Sequence, residues 1–377
     1  MQDSEKLPVK VALVLSNMPH YRYGVFKALE EQVEEVTFIA GANIADSNNS
    51  GQIVSIPTGT FQREEIVRNR WIGSAVWQRG VGRLLKKVNP DAVIFTGDAA
   101  YLSTWFHAAA ARLRGRKVYF WTIGWHKPDA GLRRFVRLAF YRLANELLVY
   151  GNYGRELGIA AGYPAERITV IYNGFHSLAD AKSADLPAGS LPDGSRPVIG
   201  AVIRLSQNKG LEEVIKAIAH LRDEHGIDAD GLIVGEGPAR PELEKLATDL
   251  GVRLYLPGAM YSQQDLAKVY QDLAVTVVPR AAGLTVLQSL QAGTPVVTIA
   301  DPLQQMPEFE AIEDGVTGSL VDQADAESIA GACAEWIQRL ADDSTETAAA
   351  CQQAVRETWS STGQAARIVG ALAPADS

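Results

Sequence analysis

Short apolar runs recur along this chain, each followed by a stretch in which apolar positions return at helical spacing. Residues 9–15 (VKVALVL) read as a buried strand. The loop Ser16-Asn17-Met18-Pro19-His20-Tyr21-Arg22 comes next, then an amphipathic helix with Phe26 and Leu29 on one face. Further strands are predicted at 36–40, 92–96, 117–122 and 147–150, with helical segments between them. That alternation is the rhythm of a parallel sheet with crossover helices. A second series opens at 197–203 and continues through 231–238 and 254–258. It reaches residues 274–297, AVTVVPRAAGLTVLQSLQAGTPVV, which read as strand, loop, helix, turn, strand. From Ala324 onward the pattern is helical. Two segments break the rhythm: 63–87, with Trp71 and Trp77 among its arginines and lysines, and 133–142 (RRFVRLAFYR). Both read as helices with a cationic face beside an aromatic or aliphatic one, either packed on a core with the charges in water or laid in a membrane interface.

Length and composition sharpen this picture. At 377 residues the chain exceeds a single core and divides into two domains. Residues 181–196 (AKSADLPAGSLPDGSR), rich in Pro, Gly, Ser and Asp and without apolar periodicity, read as the linker. The net charge of -8 conceals an asymmetry: residues 1–185 hold 23 Lys+Arg against 17 Asp+Glu, and residues 186–377 hold 13 against 27. A chain of this balance is a poor partner for nucleic acid. Its basic half suits an anionic surface or acceptor. Cys333 and Cys351 lack metal-type spacing and fit a reducing compartment. The N-terminus has no apolar signal core and no window approaches the roughly 18 apolar residues of a membrane span. A cytoplasmic protein is expected, peripheral at the inner membrane face if the basic segments dock there.

In open α/β sheets ligands bind outside the carboxyl ends of strands, where loop and helix N-terminal N–H groups hold anions. The Gly283 turn is therefore the first candidate for a phosphate site. The same stretch resembles the retaining glycosyltransferases of family 4. Gly283, Leu284, Gly293, Pro295, Val296 and Val297 match that family's pattern in register. Its two glutamates, separated by seven residues, do not: Arg280 and Gln288 hold their positions, and Asp265 and Asp272 are the only carboxylates between Gln264 and Pro295. The blocks at 197–221, 231–238, 254–258 and 315–321 resemble the family's nucleotide-binding half in order and spacing. Ile171-Tyr172-Asn173-Gly174 is similar to the segment leading to its interdomain hinge.

The resemblance implies an α/β chain of the GT-B fold, with two Rossmann-like doubly wound domains facing a central cleft. It implies an acceptor-binding domain at 1–180, the linker at 181–196, a nucleotide-sugar-binding domain at 197–355, and a last helix within 356–377 that crosses back to the first domain. Arg204 and Lys209 resemble the cations that clasp the donor diphosphate, and the N–H groups of Gly283, Leu284 and Thr285 complete that cradle without metal. No cofactor is implied, the nucleotide diphosphate sugar being a substrate. In the family the first glutamate contacts donor-sugar hydroxyls and the second contacts ribose. Gln288 retains hydrogen-bonding capacity toward ribose. Arg280 brings donors only and a permanent charge, suited to a carboxylate on the donor sugar or to an added phosphate contact.

On the acceptor side Asp98 (TGDAA) and His126 (IGWHKPD) follow strands at their carboxyl ends. His126 sits where family members carry a histidine close to the reacting sugar. Asp98 sits where some lipid-sugar enzymes resembling this chain carry an acid that accepts the acceptor's proton. His20 and Arg22, after the first strand, are further acceptor-side candidates, with loop capping as the alternative. The expected activity is transfer of a sugar, with retention, from a nucleotide diphosphate sugar to a glycan or lipid-linked acceptor in cell-surface polysaccharide assembly. The alternatives are a catalytically dead GT-B protein that binds a nucleotide sugar or a partner, and a GT-B sugar-nucleotide epimerase. The epimerase fits the Arg204, Lys209 and Gly283 pattern less well.

Overall fold

The buried runs become the strands of two separate sheets. The computed structural model describes residues 6–42, 55–175 and 187–373. The chain divides into two compact units, Met1–Leu178 with Ser360–Ser377, and Ala179–Trp359. Part of the expected linker, 181–186, lies outside the described residues, and 187–196 is turns and bends.

The first unit carries strands β1 Leu7–Leu15, β2 Val33–Ala42, β3 Glu64–Ile72, β4 Ala75–Arg79, β5 Ala92–Thr96, β6 Lys117–Thr122, β7 Glu146–Val149 and β8 Ile168–Val170. Their order is β4-β3-β2-β1-β5-β6-β7-β8, and every pairing is parallel except β3 with β4. Alternate residues of β1 serve opposite faces. Val11, Leu13 and Leu15 pack with Phe26, Phe38 and, from the far end of the chain, Ile368 and Leu372. Ala12 and Val14 pack with Phe95, Phe120 and Phe140 on the other face. A strand covered on both sides reads as a continuous apolar run, which is why 9–15 was legible. The last helix, Ser361–Leu372, packs on the helix Tyr23–Gln32 within this unit. It is tied there by Gln364, whose amide donates to the Tyr172 carbonyl (2.6 Å) and accepts from the Gly174 N–H (3.0 Å).

The second unit carries β9 Val198–Val202, β10 Asp230–Val234, β11 Leu254–Tyr255, β12 Val275–Val277, β13 Val296–Ile299 and β14 Gly318–Val321, all parallel, in the order β11-β10-β9-β12-β13-β14. Its helix Ala326–Arg356, broken at Asp343, packs on Leu211–His225 and buries both cysteines. Burial pushes each thiol up to about 12. Among the described residues no helix is long and apolar enough to cross a membrane.

One expectation is corrected. Residues 63–87 are not a cationic helix but the antiparallel hairpin β3–β4, turning at Gly73-Ser74, followed by the short helix Val81–Val88. The alternation of exposed Arg68 and Arg70 with buried Val67 and half-buried Asn69 has a period of two, and that favours a pleated edge over a helix. Spacing of the charges alone conceals this. The other segment is a helix, Gly131–Tyr141, as expected.

Candidate active site

In each unit the winding direction reverses at the centre of the sheet, between β1 and β5 in the first and between β9 and β12 in the second. Loops leaving such a pair diverge and open a crevice at the strands' carboxyl ends. The expected donor-side residues lie on the loops and helix start at the second crevice, and Arg22, Asp98 and His126 line a cavity at the first.

In the second unit the loop after β9 carries Arg204 and Lys209, and the loop after β12 carries Arg280 to Gly283. The two loops meet. Lys209 Nζ donates to the Ala281 carbonyl at 3.0 Å. Gly210 turns at φ +71°, and a Cβ there would stand 3.1 Å from Pro279 Cβ and 4.0 Å from Arg280 Cδ, so the contact itself requires glycine. Lys209 is half-buried, and that burial holds its ammonium below the ordinary lysine range. Arg204 and Arg280 are exposed.

The β12 loop is held from behind. Ala281 adopts φ +52°, a costly left-handed conformation for a residue with a side chain. Its N–H donates to the Gln304 carbonyl (2.7 Å), and the Ala282 N–H donates to Gln305 Oε1 (2.8 Å). Gln305 is buried, and its amide nitrogen donates to Thr298 Oγ1 (2.6 Å) and the Ile299 carbonyl (2.8 Å). The helix Leu284–Ala292 then starts at Gly283. The N–H groups of Leu284 and Thr285 have no acceptor one turn earlier, as at any helix start. Thr285 Oγ1 donates to the Val202 carbonyl at the end of β9, tying the start of this helix to that strand. Gln288 is tied by its carbonyl oxygen, which accepts from the buried Tyr270 hydroxyl at 3.1 Å. Two residues that the sequence did not signal complete the crevice. One is Gln305; the other is Glu308, buried, with Oε2 3.9 Å from where a Gly283 Cβ would stand.

The crevice of the first unit opens into a cavity of about 880 Å³, whose lining includes Asn17, Arg22, Asp98, His126, Arg137 and Tyr150. Asp98 and His126 are thus in one cavity. Arg22 is there too, its guanidinium 4.7 Å from the Trp121 ring centroid and 5.6 Å from that of Tyr150, whose hydroxyl it also meets by hydrogen bond. His20 is not among the lining residues; it is half-buried beside Tyr21, and burial lowers its pKa.

Asp98 is exposed and accepts from the Ala100 N–H at 2.9 Å. Gly97 before it permits close approach of β5 to β6, since a Cβ would stand 2.8 Å from Thr122 Cβ. His126 is half-buried, and burial, with Lys127 beside it, keeps its imidazole below the ordinary histidine pKa and neutral near pH 7. Its loop is pinned on both sides. Arg137 Nη1 and the Tyr141 hydroxyl donate to the Gly124 carbonyl (2.7 and 3.1 Å), and Asp129, almost fully buried, pairs with Arg137 (2.5 Å) and Arg133 (3.4 Å). These positioning residues were missed in the sequence, although Asp129, Arg133 and Arg137 recur every four residues, as side chains on one helix face do. The arginines expected to meet a membrane are partly committed here: Arg137 and Arg133 to Asp129, and Arg134 to the Ala161 carbonyl at 3.0 Å. The apolar face of that helix is not, for Leu132 is 77% and Phe135 71% exposed.

Comparison with known proteins fits this geometry. Residues 196–339 match the family model Glycosyl transferases group 1. The chain is 30% identical over 217 residues to alpha-D-kanosaminyltransferase of Streptomyces kanamyceticus, covering 55% of this chain and 53% of that enzyme. It spans about half the length of several such curated relatives. It is 28% identical over 355 residues to the GDP-mannose-dependent alpha-(1-6)-phosphatidylinositol monomannoside mannosyltransferase of Mycolicibacterium smegmatis, covering 86% of this chain and 88% of the relative. Among solved structures, Anabaena Alr3699/HepE in complex with UDP superimposes with a TM-score of 0.68 at 17% identity, over 96% of this chain and 99% of that one. The fold of the chain is that of the GT-B glycosyltransferases, and within its second unit residues 196–339 are similar to the glycosyl transferases group 1 family.

Proposed function

We propose that the protein transfers a glycosyl group from a nucleotide diphosphate sugar to a glycan or lipid-linked acceptor, with retention at the anomeric carbon and without a metal. The second unit holds the donor and the first the acceptor. The observation that supports this reading is the meeting of the β9 and β12 loops at the switch point, where Lys209 holds the Ala281 carbonyl close to the helix start at Gly283. Negative charge grows on the diphosphate as the glycosidic bond breaks, so cations and N–H dipoles fixed there stabilise the transition state more than the ground state. That the mannosyltransferase relative is GDP-mannose-dependent and HepE binds UDP supports a nucleotide donor.

Asp98 is proposed to accept the acceptor's proton, and neutral His126 to donate a hydrogen bond at the reacting sugar. The cavity around them mixes aromatic walls with arginines. Beside it, exposed Leu132 and Phe135 suit an acceptor whose other end is lipid, consistent with assembly of surface polysaccharide at the inner membrane face. Incubating the full chain with a panel of UDP-, GDP- and dTDP-sugars, uronic acid donors included, and following nucleotide diphosphate release tests the reading. Slow release from at least one donor, accelerated by membrane extract, is expected. Tight binding of a donor with no release under any condition would favour the catalytically dead alternative instead.

A further inference from the structure

In a sugar-transfer site the residue that follows the β12 strand has two targets within reach, the sugar and the diphosphate, and an arginine there is suited to either. The geometry points to the diphosphate: Arg280 acts beside Lys209 as a cation on the leaving group additional to the Arg204–Lys209 pair, so that this site grips the nucleotide diphosphate instead of reading sugar hydroxyls. This rests on the donor reading of the same crevice.

Three observations carry it. First, the Arg280 stem lies against the Lys209–Gly210 turn, with Cδ 4.0 Å from the position of a Gly210 Cβ, so its guanidinium starts from the edge of the same turn that presents Lys209. Second, the backbone that carries Arg280 is fixed. Lys209 holds the Ala281 carbonyl, while Gln304 and Gln305 hold the N–H groups of Ala281 and Ala282. The guanidinium itself is exposed and has no hydrogen-bond or ion-pair partner among the described residues. A rigid base under a solvated, unpaired cation is a preorganised anion contact. Third, the side chains on the loops and helix start of the crevice offer donors. Lys209 and Arg280 only donate, and Gln288 has its carbonyl oxygen engaged by Tyr270, which leaves its amide N–H groups as donors. Sugar hydroxyls need acceptors as well as donors, whereas phosphate oxygens need donors alone.

The test is calorimetric titration of the full chain and its Arg280→Ala, Arg280→Lys and Lys209→Ala variants with UDP, GDP, UMP and GMP, together with one neutral and one uronic acid nucleotide sugar. For the nucleoside diphosphate that binds the wild type, Arg280→Ala is expected to lower affinity about tenfold, the size of one charge-assisted hydrogen bond. The neutral and acidic sugar donors should lose the same factor, the monophosphate much less, and Arg280→Lys should recover part of the loss. Because Arg280 is exposed, an unchanged melting temperature is expected to accompany the change. Diphosphate affinity kept in Arg280→Ala but lost in Lys209→Ala would overturn the inference and leave the donor site standing. A loss confined to the uronic acid donor would overturn it in favour of carboxylate recognition. If neither UDP nor GDP binds the wild type and Lys209→Ala changes nothing, the donor reading falls, and this inference with it.

Discussion

The two units solve the same topological problem with opposite materials. Each opens a crevice where strand order reverses, between β1 and β5 or between β9 and β12. In the second unit the crevice is a surface of loops and a helix start. Its chemistry is carried by backbone N–H groups and by cations standing in water, and its precision comes from a buried glutamine and a strained alanine behind the loop. In the first unit the crevice is a cavity walled by Trp121, Tyr141 and Tyr150, with Arg22, Asp98, His126 and Arg137 set among those rings. A phosphate is recognised by charge and dipoles that any helix start supplies. An acceptor must be recognised by shape, and shape needs walls.

That contrast gives the largest expected effect. If the first unit handles the acceptor and the second the donor, Asp98→Asn and His126→Ala should each reduce turnover by about 10²–10⁴, the usual worth of a positioned acid or base, and leave the dissociation constant for nucleotide diphosphate unchanged. Steady-state kinetics beside calorimetry separates the two. Loss of donor affinity in either variant would show that the division of labour between units is drawn in the wrong place.

The same contrast explains what was legible. The alternation of buried runs and helical spacing, and with it both parallel sheets, follows from burial on both faces of each sheet, which local sequence records directly. The loops of the second crevice were legible because each is contiguous: Arg204 to Lys209 is one loop, and Arg280 to Gln288 is a second loop with the helix start that follows it. Gln305 and Glu308 escaped because they reach the Gly283 turn from beyond the next strand, a juxtaposition no spacing records. In the first unit Asp98 and His126 were picked out by their place after strands, and both line one cavity. The aromatic walls and the Asp129–Arg137 pin were not, since a tryptophan in a strand reads as core whether or not one edge faces a cavity. The β3–β4 hairpin was misread for another reason: charge density was taken as the signal where the period of two should have governed.

The hairpin sharpens the comparison further. Arg68 and Arg79 stand directly opposite one another across β3 and β4, Arg70 is next along, and all three are exposed without an ion-pair partner among the described residues. Like charges face to face on an edge strand cost stability, and the basic half of the chain carries them. Near an anionic bilayer each such charge is worth about 1 kcal/mol. The full chain is therefore expected to bind vesicles containing anionic lipid at low salt and to release as salt is raised. Arg68→Glu combined with Arg79→Glu should weaken that binding roughly tenfold or more. Flotation assays with anionic and neutral vesicles measure it. Equal binding to both kinds of vesicle would assign the contact to the exposed Leu132 and Phe135, and no binding to either would favour a soluble acceptor.

The smallest effect is a pH profile whose two limbs belong to different units. Burial and Lys127 lower the His126 pKa below 6.5, so the neutral imidazole needed to donate at the reacting sugar persists below the pH where a free histidine is half protonated. Turnover should then fall by less than about twofold between pH 8 and 6.5 on account of this group, and decline only at lower pH as the imidazole gains its proton. Burial lowers the Lys209 pKa from 10.5, which places its loss of charge, and with it the loss of diphosphate affinity, at lower pH than for a free lysine. The acid limb is therefore expected in kcat and the alkaline limb in nucleotide affinity. Lys209→Arg, which stays charged throughout the accessible range, should move the alkaline limb upward and leave the acid limb where it was. An acid limb that moved with Lys209→Arg would mean that the two crevices titrate as one site, and the separation of donor and acceptor roles between the units would fail with it.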